Sequence, residues 1–133
     1  MSLHTICSEI KKMKQESYFI LIVDDDILTI NAIETALNTK GYTCYVSTKI
    51  ADAKSALLYS VRPVKLIICE FTLPDGTGDQ IIRYAAELPH AIPGIGMSHN
   101  KMTQIPFHQA GAKGFLKKPI VPDELWAEVK NLK

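Results

Sequence analysis

Val64-Lys65-Leu66-Ile67-Ile68-Cys69-Glu70, running on into Phe71-Thr72-Leu73-Pro74-Asp75-Gly76-Thr77-Gly78, is the stretch that decides the fold of this chain. Lys65–Cys69 is short, apolar and rich in β-branched residues, the pattern of a strand buried on both faces of a parallel sheet. It halts at a carboxylate, and proline and glycine then mark a turn. Two further runs end on charge in the same way. Ile20-Leu21-Ile22-Val23 leads into Asp24-Asp25-Asp26, and Gly114-Phe115-Leu116 leads into Lys117-Lys118-Pro119. Three strand-like segments thus deliver acids, one acid and a cation, each at its C-terminal end.

Outward from this stretch, strands and helices alternate. Tyr18–Val23 reads as the first strand. The segment from Thr29 to Lys40 follows as a helix with Ile30, Ile33 and Leu37 on one face, stopped by Gly41. Thr43–Ser47 is the second strand. Ile50, Ala53 and Leu57 mark a helix ended by Arg62-Pro63. After the third strand, Asp79 to Leu88 is helical with Ile81, Ile82 and Ala85 inward. Ile92–Met97 is a glycine-diluted fourth strand, and Met102–Ala110 is the least marked helix. Gly114–Leu116 is the fifth strand, and Leu125, Val129 and Leu132 form the stripe of a final helix. Five alternations predict an α/β sandwich around a parallel sheet. Residues 1–17 do not fit. They read either as a lead-in to a domain over 18–133 or as an extra helix, with Ile6, Ile10 and Met13 on one face, that docks or supports a dimer.

Composition narrows the classes. A chain of 133 residues suits one domain. Net charge is +1, which gives no electrostatic case for binding nucleic acid or an anionic membrane. No apolar run approaches the ~20 residues of a membrane span, and a cytoplasmic location is expected. Cys7, Cys44 and Cys69 lack paired-ligand spacing and read as reduced thiols. Gly94-x-Gly96 lies inside a strand pattern, not at a strand-to-helix turn, and makes no dinucleotide site. Cys69 reads as a buried structural thiol. Asp75 and Asp79 read as serving the turn and a helix N-terminus.

In an open parallel sheet, ligands bind beyond the C-terminal strand ends. Asp24, Asp25, Glu70, Ser98 and Lys118 all fall there. Carboxylates brought together repel unless a cation joins them, and Mg²⁺, which takes oxygen ligands and keeps several waters, suits such a place. Lys118 supplies a second positive charge.

These features together resemble a receiver domain of two-component signalling over about residues 18–132. The resemblance rests on Asp24-Asp25, the Leu-Pro-Asp-Gly-Thr-Gly loop, the hydroxyl of Ser98, and Lys118-Pro119. It implies a flavodoxin-like (βα)5 three-layer sandwich with a five-stranded parallel sheet in the order 2-1-3-4-5. It implies a weak Mg²⁺ site formed by Asp24, Asp25, the carboxylate of Glu70 and the backbone carbonyl of Thr72. It also implies that Ser98 contacts a phosphoryl group and that Lys118 pairs with its oxygens. Glu70 stands where the family carries the aspartate that accepts a phosphoryl group from a histidine kinase. The expected partner is a sensor histidine kinase or a downstream signalling protein, met through the face of helix four, strand five and helix five. Trp126 belongs either to that surface or to the core.

The departures from the family matter as much. Glutamate carries its carboxylate one methylene further out, and in-line transfer depends on placement, where about 1 Å can change the rate by ~10²-fold. His99 stands where receivers carry a small residue, and either narrows the entrance or is an exposed loop residue. Phe115 holds the position of the family's swinging aromatic without a hydroxyl, and is otherwise a core ring. Three readings follow. One is a degenerate, phosphorylation-independent receiver acting by protein interaction and not as an enzyme. The second is a receiver still phosphorylated in a phosphorelay. The third is an unrelated flavodoxin-like binding protein or Mg²⁺-dependent phosphohydrolase.

Overall fold

The computed structural model describes residues 2, 3, 5 and 6 and residues 19–132. The expected face of Ile10 and Met13, and Cys7 with them, lies outside the described residues. From Phe19 onward the chain builds β1 (Phe19–Val23), α1 (Ile27–Asn38), β2 (Thr43–Ser47), α2 (Ile50–Tyr59) and β3 (Val64–Glu70). It continues with α3 (Asp79–Ala86), β4 (Gly94–Ser98), α4 (Gln104–Gln109), β5 (Gly114–Lys117) and α5 (Pro122–Lys130). The five strands form one parallel sheet in the order 2-1-3-4-5.

Two apolar layers hold the sheet. One face packs Ile20, Ile22, Leu66, Ile68 and Met97 against Ile30, Ile33, Leu37, Leu125 and Val129 of α1 and α5. The other packs Leu21, Val23, Ile67 and Cys69 against Ile50, Ala53, Ile81, Ile82 and Phe107 of α2, α3 and α4. The near-continuous apolar strands are explained by this double cover, since every residue of β1 is buried.

Boundaries shift where local chemistry overrides periodicity. The first helix begins at Ile27, before Thr29, because Asp26 caps it by accepting from the Leu28 amide. Gly41, at φ 87°, ends that helix's turn. The fourth strand is Gly94–Ser98 instead of Ile92–Met97. The fourth helix starts as a 3₁₀ turn over Lys101–Thr103, with Asn100 accepting from the Met102 amide. The loop after β3 holds a small antiparallel hairpin, Thr72–Leu73 against Gly76–Thr77.

Candidate phosphoacceptor-type pocket

The register of β1, β3 and β5 brings their charged ends to one edge of the sheet. Asp24, which follows β1, is buried, and its two oxygens have different tasks. Oδ1 accepts the Asp26 amide at 3.0 Å. Oδ2 lies 2.6 Å from Lys118 Nζ, an ion pair close in distance but off hydrogen-bonding alignment. Glu70 ends β3 with Oε2 3.6 Å from the same ammonium and no hydrogen-bond partner among the described residues. Lys118 is itself 3% exposed, so the two carboxylates share a buried cation.

That arrangement sets the electrostatics. Burial pushes the Glu70 carboxyl above the ordinary value of 4.5; Lys118 pulls it back, the neighbouring Asp24 pushes it further, and His99 lowers it slightly. His99 is exposed at the mouth and reaches Glu70 through charge. Ser98 is buried at the end of β4. Its hydroxyl accepts the Asn100 amide at 3.0 Å, and its carbonyl accepts the Lys118 amide at 2.9 Å, which ties β4 to the lysine. The Lys118–Pro119 peptide is cis.

Of the expected metal ligands, Asp24 and Glu70 meet around Lys118, whereas Asp25 and Thr72 are exposed at the rim. No group of three or more His, Cys, Asp or Glu side chains converges on a metal position among the described residues. Asp24 and Glu70 could supply one or two carboxylate ligands to a water-rich Mg²⁺ site, and Glu70 Oε2, ion-paired with Lys118 at 3.6 Å, accepts no hydrogen bond among the described residues.

One residue was missed in the sequence. Asp26 Oδ2 accepts the Thr29 hydroxyl at 2.7 Å and stands 3.9 Å from Lys118 Nζ. The Thr29 hydroxyl is the largest cause holding its carboxyl low. Its signal was present, an Asp just before an apolar helical stripe, but starting the helix at Thr29 concealed it. Asp75, expected to serve its own turn, instead caps a distant helix: its carboxylate accepts the Ile50 and Ala51 amides of α2 at 2.7 and 3.0 Å. These amides hold its own carboxyl below the usual range.

Aromatic packing flanks the pocket. Phe71, next to Glu70, meets Phe107 edge-on at 5.4 Å, and Phe107 meets Phe115 at 6.1 Å. Phe115 is half-buried against the core. Trp126 is half-buried too, tilted against Tyr42 and under the Lys40 ammonium, so it divides between core and surface. Cys69 is fully buried, and burial holds its thiol well above the ordinary range; its Sγ contacts the Glu70 carbonyl. It is the structural thiol expected.

A family model described as the response regulator receiver domain matches residues 20–130. The probable transcriptional regulatory protein y4xI of Sinorhizobium fredii is 30% identical over 114 residues, covering 84% of this chain and 49% of that protein. Aerobic respiration control protein ArcA of Escherichia coli strain K12 is 28% identical over 114 residues, covering 85% and 47%. The chain thus spans about half the length of the curated relatives it matches. Among solved structures, a putative response regulator from Chloroflexus aurantiacus superposes with a TM-score of 0.79 at 26% identity, covering 86% of this chain and 96% of that one. The receiver domain of sensor histidine kinase PA1611 from Pseudomonas aeruginosa, solved with magnesium in its active site cleft, gives 0.76 at 22% identity over 86% and 96%, a likeness of fold.

Proposed function

This chain belongs to the response regulator receiver domain family, and on that premise we propose that it signals without accepting a phosphoryl group. Receiver domains are signalling modules, and what distinguishes this one is how its pocket is set. The observation that carries the proposal is the occupancy of Lys118. Its ammonium already faces Asp24 at 2.6 Å and Glu70 at 3.6 Å, in a buried pocket. A phosphoryl group on the position-70 carboxylate needs that cation for its oxygens. The extra methylene of Glu70 carries negative charge toward the cation in advance.

On this reading Asp24, Asp25, Glu70 and the Thr72 carbonyl are the oxygens offered to Mg²⁺, which would take one or two of the carboxylates directly and keep several waters. The ion's contribution would be to offset the carboxylates' charge. Glu70 and Lys118 then act as a fixed pair, and the buried Ser98 keeps β4 in register with the lysine through its carbonyl. Phe115 completes the device by packing alone. The output is binding of a kinase or downstream protein through the face of α4, β5 and α5, where Met102 and Ile105 are 66% and 54% exposed.

The test is chemical. Native protein incubated with Mg²⁺ and acetyl phosphate should show no acid-labile phosphoryl adduct by intact mass. A stoichiometric adduct mapped to Glu70 would return the chain to conventional phosphorelay.

A further inference from the structure

We propose that Asp75 is a positioning residue for the pocket: by clasping the N-terminus of α2 it holds the hairpin that carries Thr72, and so sets the backbone oxygen offered to Mg²⁺. This role rests on the reading of Asp24, Asp25, Glu70 and Thr72 as oxygens for that ion. Asp75 is not among them. It is an exposed residue of the loop after β3, and it acts through that loop.

Glu70 ends β3, and the chain turns at once into the hairpin of Thr72–Leu73 against Gly76–Thr77. Leu73 pairs with Gly76, so Pro74 and Asp75 form its two-residue tip. The base is fixed. The Gly78 amide donates to the Phe71 carbonyl at 2.7 Å, and the Phe71 amide donates to the Met97 carbonyl of β4 at 3.1 Å. Gly78 is also pressed against β3, where a Cβ would collide with the Glu70 carbonyl. A hairpin this short is not stable by itself, so its direction depends on what holds the tip.

Asp75 holds it. α2 starts without a cap of its own, because Lys49 at the N-cap position makes no side-chain hydrogen bond to the helix. The Ile50 and Ala51 amides donate instead to the two oxygens of Asp75, one each, at 2.7 and 3.0 Å. These are charge-assisted bonds at the positive end of a helix. Gly76 lets the tip come this close, since a Cβ there would stand 2.9 Å from Ile50 Cδ1. Thr72 thus lies between a fixed base and a clasped tip. An ion that takes few protein oxygens depends on how those oxygens are held, and the partners behind metal ligands are typically worth about 10–100-fold in affinity.

Mg²⁺ titration of the full chain, followed at the Glu70 and Thr72 amide resonances, tests this together with residue-resolved amide exchange. Asp75→Ala should raise the Mg²⁺ dissociation constant by about tenfold or more, and Asp75→Asn, which keeps one acceptor oxygen, should fall between it and native protein. Coupling is reciprocal. Saturating Mg²⁺ should therefore slow exchange of the Ile50 and Ala51 amides of native protein by the same factor that Asp75→Ala takes from affinity. The Met102 amide, capped by Asn100 within its own loop, should not share that slowing. If Asp75→Ala does not fold, Asp75→Asn and the native exchange rates carry the test. An unchanged dissociation constant in the variants, or Ile50 and Ala51 amides slowed no more than Met102, would overturn the proposal and leave the metal reading standing. Native protein that binds no Mg²⁺ would overturn both, while the reading of Glu70 would still be judged by the phosphoryl adduct.

Discussion

Glu70 is a buried acid whose environment resists its charge. Burial holds its carboxyl above 4.5, so the folded protein binds that proton more tightly than the unfolded chain does. The stability this contributes is complete below 4.5 and is lost as pH rises through the raised value. Glu70→Gln removes the titration. The variant should therefore gain stability relative to native protein as pH climbs from mildly acid to neutral, as read by urea unfolding along a pH series. A pH-independent difference would contradict this. Asp24 and Asp25 are adjacent yet unequal. Removing Asp24, 1% exposed at its side chain, leaves Lys118 with only the more distant Glu70 and Asp26 carboxylates, and loss of one partner from a buried pair costs about 3–5 kcal/mol. Asp24→Ala should fall in that range by chemical denaturation, whereas Asp25→Ala, on an exposed residue, should stay within about 0.5 kcal/mol. Equal effects would show that the lysine pair is not what organises the pocket.

At the scale of elements, β4 and α4 fit through a size exchange. A Cβ placed on Gly96 would run into the ring of Phe107, so the glycine makes room for that ring between Phe71 and Phe115. Gly96→Ala should destabilise by about 1–3 kcal/mol through overpacking. Adding Phe107→Leu should recover part of that loss, a non-additivity expected of residues in contact. Strict additivity in a double-mutant cycle would show that the two do not share space. The sequence disclosed the glycine but not its reason. Gly94 and Gly96 read only as dilution of a strand, because the ring that fills the gap comes from the helix that follows. Strand positions were legible because short apolar runs bounded by turn residues suit strands covered on both faces. The strand ends then located Asp24, Glu70 and Lys118 at once. Asp26 and Asp75 were harder. A cap is read from a helix start, so placing the start of α1 at Thr29 hid Asp26. Asp75 caps a helix 25 residues upstream, a pairing fixed only by tertiary structure.

For the molecule as a whole, strand order explains where the pocket and the partner face lie. The parallel order gathers the acids that end β1 and β3, Ser98 of β4 and Lys118 after β5 at one edge of the sheet. The same order leaves β2 and β5 outermost, with β5 beside α4 and α5. Asp24, Glu70 and Lys118 were readable from their strand-end positions, but not the part of Asp26, the rim exposure of Asp25 or the solvent-facing place of His99. The last two depend on which way a loop turns after its strand. If one methylene has set an otherwise complete pocket, restoring the shorter arm should restore the chemistry. Intact mass after incubation with Mg²⁺ and acetyl phosphate, with native protein and Glu70→Asp side by side, decides it. An acid-labile phosphoryl group is expected on the variant and none on the native chain. Labelling of native protein at Glu70, at a rate comparable with the variant, would refute the phosphorylation-independent reading.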